Sequence, residues 1–510
     1  MPSNTTRIAK NTLMLYFRQI LIMLVNLYAV RVVLNTLGAV DYGIYNVVGG
    51  MVVMFSFFNI AMTSATQRFL NFAMGQNDTE QAKNVYSISF IIHILIAVLV
   101  IILSETAGLC FFYTWLNIPD DRQNAAFIVY QFSIAVTVIN IIRVPYQATV
   151  IAYEKMSFFA LISIIESVLK MVIVFFLTMI FIDKLISYSF LVFMAGIIVF
   201  FVYKIFCNRM FEIARFRIYH NKELFWRLTG FSGWSIFSQF SNLCRKQGIN
   251  VLVNIFHGVT VNAAIGIAMQ VNSAVYLFVS NFQTAFRPQI IKSYAAKNYD
   301  YFIQLIFQTS KSSFFLLFLF VLPLYVNAEF ILNIWIKNVP EYTVTFTRLI
   351  LLFSLVDAIS GPLWMSIHAT GNIKKYQLIE SCFTITNIPL AFLILLIGSS
   401  PIWIFVIEVS INVLLLIWRI FFVSKRINIL VIDFLFKVIM PILIIAGISS
   451  IVTIFTYYFF IDWNRLLISC VVSTLCISSL VFCIGLDKNE KMFLKNYIRK
   501  KIVLINGQKK

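Results

Sequence analysis

Fourteen stretches of about 20 mostly apolar residues, separated by short polar turns, constrain this chain more than any other feature. A helix of that length crosses the hydrocarbon of a bilayer. Inside lipid only a helix or a closed barrel satisfies its own backbone. The expected spans cover 11–36, 43–66, 86–110, 125–152, 158–182, 186–206, 231–256, 260–285, 309–334, 344–369, 377–398, 402–423, 437–460 and 464–486. Composition agrees, with 60% hydrophobic and only 12% charged residues, where soluble domains carry about 25% charged. The polar pieces are all short, so no separate soluble domain is expected. The residues before the first span carry no small-residue cleavage site and read as the lead into a membrane helix. The 7 cysteines mostly sit within apolar runs and form no CxxC. No disulfide, metal site or cofactor is therefore expected. The fold class is an all-α polytopic membrane protein.

Lysine and arginine set the orientation. With the N-terminus inside, most of the 40 basic residues fall in inside turns and in the tail. Only Arg122, Lys184, Lys337 and Arg465 fall in outside turns. Both termini are thus expected in the cytoplasm. The same asymmetry explains the net charge of +19 without nucleic acid, because a basic face suits an anionic cytoplasmic leaflet. Membrane lipids are the expected partner of that face.

The chain also repeats. Arg68 after span 2 matches Arg287 after span 8, 219 residues on. Pro145 in span 4 matches Pro362 in span 10, and Ala152 matches Ala369, both at 217. Six spans per copy is an even number, so both copies enter from the same side as parallel repeats. The expected organisation is a six-helix lobe over 1–206, a cytoplasmic loop over 207–230 and a second lobe over 231–423. Two additional helices over 424–486 and a basic cytoplasmic tail over 487–510 follow. Two such lobes would enclose a central cavity and work by rocking, with Pro145 and Pro362 as kinks.

Span 7 should be greasy and is not. Ser235, Gln239, Asn242, Lys246 and Asn250 recur at helical spacing on one face, with Arg245 beside Lys246. A cation near the bilayer centre costs about 2.5–3.5 kcal/mol. No acid lies between Ser232 and Asn298 to offset it. The stripe must face a watery cavity or a distant partner; the bland alternative is a snorkelling lysine or helix-to-helix glue. Span 1 adds Arg18, Asn26 and Arg31, span 2 adds Asn59, span 4 adds Arg143, and span 8 adds Asn262, Gly266, Gln270 and Ser273. Arg18, Arg31, Arg143, Arg245 and Lys246 form the candidate cationic wall. Asn26, Asn59, Gln239, Asn242, Asn250 and Gln270 are its candidate polar lining. Asp357 and Glu380 are candidates for proton or sodium coupling, with pairing to a cavity arginine as the rival for Asp357. Glu166 and Lys170 should pair at i,i+4. Arginine's planar fork suits a diphosphate, so this excess argues for an anionic substrate.

The first hairpin, Leu37-Gly38-Ala39-Val40-Asp41-Tyr42-Gly43-Ile44-Tyr45-Asn46, and Arg68-Phe69 after span 2 resemble the polysaccharide-export flippases of the multidrug/oligosaccharidyl-lipid/polysaccharide exporter superfamily. These are the O-antigen and capsule repeat-unit translocases. The 6+6+2 span pattern is similar across the whole chain. The resemblance implies movement of an undecaprenyl-diphosphate-linked oligosaccharide across a bacterial inner membrane by alternating access. It also implies coupling to protons or sodium and work alongside polysaccharide assembly proteins. The rivals are a multidrug antiporter of the same superfamily and a flippase of the peptidoglycan lipid precursor. A membrane-embedded polymerase or transferase fits less well, because the 4 histidines are scattered and no outside loop is long. No enzyme is expected.

Overall fold

The computed structural model describes residues 4–53, 56–115, 118–177, 183–217, 219, 221–336, 339–427, 429–486 and 491. Within its helices some side chains fall outside that description, including those of Asn26, Arg31 and Asn59. Among the described residues the secondary structure is helical and no strand occurs. The first half comprises α1 (Asn4–Val53), α2 (Ser56–Gly75), α3 (Thr79–Leu103), α4 (Leu109–Trp115), α5 (Gln123–Ala152), α6 (Met156–Leu177) and α7 (Lys184–Met210). The second comprises α8 (Lys222–Ala295), α9 (Tyr299–Val326), α10 (Ala328–Ile336), α11 (Thr343–Thr370), α12 (Lys374–Leu396) and α13 (Ile402–Ile427). After them come α14 (Val431–Phe434), α15 (Met440–Phe459) and α16 (Asp462–Leu480).

Among the described residues 11 helices are long and apolar enough to cross a membrane. The other expected spans, 11–36, 43–66 and 231–256, also lie on helices: α1, α2 and the first part of α8. Each of the two long helices is broken at a glycine. Gly38 in α1 has φ 80° and ψ 167°, and Gly258 in α8 has φ 78° and ψ −174°. That backbone region is essentially closed to a residue with a Cβ. The break lets the helix reverse within one residue. Ile249 and Val253 before Gly258 share one apolar cluster with Ala264, Ile265 and Ala268 after it.

The two glycines stand 220 residues apart, and other backbone specials repeat with them. Asn77 (φ 57°) and Lys297 (φ 58°) are left-handed at equivalent turns. Each precedes a helix cap: Asp78 accepts from the Gln81 N–H at 2.8 Å, and Asn298 from the Tyr301 N–H at 3.3 Å. Glu154 (φ 56°) and Gly371 (φ 80°) end α5 and α11 in the same way. Side chains with a local acceptor thus satisfy orphan N–H groups at two turns 220 residues apart.

The chain packs as two compact units. One holds Met1–Cys244, Thr284–Phe302 and Ile367–Cys382; the other holds Arg245–Gln283, Ile303–Ser366 and Phe383–Lys510. Within the first, Val33 and Leu37 of α1 pack on Ile173, Val174 and Leu177 of α6. Ile44, Val48 and Val52 pack on Val129, Tyr130 and Ile134 of α5. Arg122 ties one end of this unit by donating to Asp41 at 2.9 Å and Asp183 at 2.5 Å. At the other end Arg68 donates to the carbonyls of His368 (3.2 Å) and Ala369 (3.1 Å), the last turn of α11. Lys292 donates to the Ala152 carbonyl at 2.7 Å, the last turn of α5, and pairs with Glu154 at 3.0 Å. Arg287 donates to the Ser64 hydroxyl. The cation after span 2 therefore holds the end of span 10, and a cation after span 8 holds the end of span 4. Both meet the negative end of a helix dipole. In the second unit α15 and α16 expose Leu443, Ile451, Phe455, Leu467 and Leu475, a surface suited to lipid rather than water.

Candidate functional site

The break at Gly258 makes the site. It brings the polar stripe of the first part of α8 beside a second polar face after the turn. Lys246 and Asn250 come from the first part, and Asn262, Gly266, Met269 and Ser273 from the second, at spacings of four, three and four. Those intervals keep a residue on one face of a helix. Gly266 leaves the middle of that face without a side chain. Phe405 and Glu408 of α13 complete the wall of a cavity of about 380 Å³.

Arg245 and Glu408 form an ion pair beside the cavity, with side chains only 9% and 6% exposed. The Arg245 guanidinium also lies 5.5 Å from the Phe353 ring. This is the distant partner that the local sequence lacks. The pair offsets much of the cost of placing each charge in an apolar setting, because either ion alone would be uncompensated. Lys246 differs. It lines the same cavity, is exposed to it, and makes no ion pair or hydrogen bond among the described residues. The lining thus carries two cations and one carboxylate, and the carboxylate is committed to Arg245. One positive charge is left facing the space. An ammonium there can meet a phosphate, sulfonate or carboxylate without first breaking an internal pair.

Around the cavity wall runs a hydrogen-bonded shell. The Tyr276 hydroxyl donates to Asp357 at 2.5 Å, the Ser354 hydroxyl to Asn272 at 2.7 Å, and the Asn412 amide to the Phe353 carbonyl at 3.0 Å. Asp357 does not line the cavity but sits in this shell between α8 and α11. The rival expectation for Asp357, a cavity arginine, has a tyrosine in its place. Glu380 is buried on α12 and does not line the cavity either.

The remaining described candidates do not line this cavity. Arg18 stacks on the Phe159 ring at 4.7 Å, in the first unit. Arg143, also in the first unit, donates to Glu166 at 3.2 Å and lies 5.7 Å from the Tyr203 ring. Glu166 takes the expected Lys170 as well, at 3.3 Å. Asn242 donates to the Ser238 carbonyl of its own helix at 3.1 Å. Gln239 and Gln270 do not line the cavity. The side chains of Arg31, Asn26 and Asn59 lie outside the described residues. Glu408 is the functional residue that the sequence pattern around span 7 does not reveal. A lone carboxylate in an apolar span needs a cation from another helix, but spacing along the chain does not say which one.

The MatE family model matches residues 235–393, a segment that begins in the polar stripe. No curated protein sequence matches the chain at a significant level. Solved structures match over most of its length. One is a multidrug resistance MATE family transporter of the MOP superfamily in an outward-facing conformation. It is 14% identical, with TM-score 0.71, covering 83% of this chain and 96% of that one. Another is MATE in a bent conformation, 14% identical, TM-score 0.69, covering 84% and 97%. A third is a MOP superfamily transporter from Pyrococcus furiosus, described as having a binding pocket of reverse polarity that suggests a different function. It is 12% identical, with TM-score 0.68, covering 82% and 96%. The chain has the fold of these transporters.

Proposed function

We propose that this chain is an alternating-access transporter that exports an organic solute bearing negative charge. The repeats over 1–206 and 231–423 would be its moving halves. The fold shared with MATE transporters supports transport, and supports a small-molecule antiporter better than a lipid flippase. The observation that carries the charge of the solute is Lys246, exposed to a cavity whose single carboxylate is already held by Arg245. An organic cation would find no free acid on that lining. Asp357, which accepts a hydrogen bond from the Tyr276 hydroxyl, is the proposed coupling carboxylate. An aspartate that exchanges a proton in step with the halves would link export to the proton gradient.

A second reading has one specific observation behind it. A polyprenyl-diphosphate-linked oligosaccharide would offer Lys246 a diphosphate, and the apolar faces of α15 and α16 would suit its lipid tail. The bacterial inner membrane, with both termini inside, is the proposed location in either case.

Proteoliposomes separate the readings. Protein-dependent efflux of an anionic dye, driven by a pH or sodium gradient, supports the first. Transfer of a polyprenyl-diphosphate oligosaccharide between leaflets, without dye efflux, supports the second. Efflux of a cationic dye alone would contradict both.

A further inference from the structure

A second cavity, of about 350 Å³, lies in the first unit where α2, α8 and the turn before α12 meet. Lysine and arginine counts assign this end to the cytoplasm. Three cations line it, Arg68, Arg227 and Lys374, and no carboxylate does. Two tryptophans, Trp226 and Trp234, line it as well.

Arg68 is the fixed member. Its Nε and Nη2 donate to the His368 and Ala369 carbonyls, and its guanidinium lies 4.6 Å and 4.7 Å from the Phe69 and Phe72 rings. Its Nη1 makes no hydrogen bond among the described residues and remains a donor for a ligand. Gly371, left-handed at φ +80°, keeps the space: a Cβ there would run into the guanidinium. Arg227 is close enough to repel Arg68. Lys374 stands 5.4 Å from the Trp234 ring. Like charges gathered this closely, without an acid among them, are relieved by an anion.

We propose that this cavity binds a phosphate group at the cytoplasmic face, held by Arg68, Arg227 and Lys374. A guanidinium and an ammonium both suit phosphate oxygens. Tryptophan is enriched at the level of lipid headgroups, and Trp226 is 63% exposed. The phosphate belongs either to an anionic phospholipid of the inner leaflet or to a free phosphate compound. In both cases its charge offsets the repulsion around Arg68. It thereby steadies the grip of α2 on the end of α11.

The test uses the purified full chain in neutral detergent. Native mass spectrometry counts retained phosphatidylglycerol against phosphatidylcholine, and calorimetry follows inorganic pyrophosphate. The variant is Arg227→Gln with Lys374→Gln, both exposed side chains. The control is Lys425→Gln with Arg426→Gln, an exposed basic pair on α13. Selective retention of phosphatidylglycerol, about tenfold weaker in the variant and unchanged in the control, supports the site with a lipid as its source. Pyrophosphate binding lost in the variant, without lipid selectivity, supports the site with a free compound. Equal retention of both lipids with no pyrophosphate binding overturns the proposal. Binding that the variant leaves unchanged, or the control weakens equally, overturns it too.

Discussion

Arg143 and Lys246 are both cations placed in apolar spans, and the structure treats them in opposite ways. Arg143 in the first unit is spent locally, on Glu166 and beside the Tyr203 ring. Lys246 in the second is left over, since its neighbour Arg245 holds the one carboxylate of the lining. A charge in a membrane helix is costly near the bilayer centre. The difference lies in what offsets it. A paired cation accounts for itself structurally; an unpaired one facing a cavity asks for a ligand. Replacing Arg245 together with Lys246 would mix the two roles, and single substitutions keep them apart.

The largest expected effect falls on the paired member. Glu408→Ala strands a buried guanidinium and should lower stability by about 3–5 kcal/mol, read as a drop in unfolding temperature in detergent. Arg245→Met with Glu408→Leu removes both ions and should recover most of that loss. Failure of the double change to recover stability would mean that the pair does more than neutralise itself.

Next comes Arg143→Ala, at about 1–3 kcal/mol. It costs less than the loss of Glu408, because Glu166 keeps Lys170 at 3.3 Å. An equal or larger loss would erase the contrast between a shared and an exclusive partner.

How much of this was legible in the sequence follows from where each signal resides. Span lengths, turns and the stripe of Lys246 and Asn250 are periodic and local, so they could be read directly. The repeat was readable because Arg68, Pro145 and Ala152 each recur at nearly one offset. The Arg245–Glu408 pair was not, since 163 residues separate the partners and nothing local marks them. The division of the described candidate cations was hidden for the same reason. Arg18 faces Phe159 and Arg143 faces Glu166 through tertiary packing, which helical spacing does not encode. The breaks at Gly38 and Gly258 were visible only as glycines; their positive φ is a property of the fold.

A smaller effect sits at the opposite end of the first unit. Partial burial raises the Asp183 carboxyl, but the hydrogen bond from Arg122 and the N–H groups of Ile186 and Leu185 outweigh it and hold it below its usual range. A depressed carboxylate contributes stability above its unfolded pKa and loses it as pH falls through the folded one. Below about pH 4 the wild type should therefore lose about 0.2–1 kcal/mol that Asp183→Asn has already lost. Unfolding temperature measured against pH checks this: the gap between wild type and variant should close on acidification.

Lys246→Gln should change stability least, within about 0.5 kcal/mol, and transport most. The decisive measurement is the initial rate of gradient-driven efflux of an anionic dye from proteoliposomes holding either the wild type or Lys246→Gln, at matched protein content and matched unfolding temperature. The rate should drop tenfold or more, about what one charge-assisted hydrogen bond supplies, with Lys246→Arg retaining much of it. An unchanged rate in Lys246→Gln would contradict it, and would leave the cavity's positive charge without a role in transport.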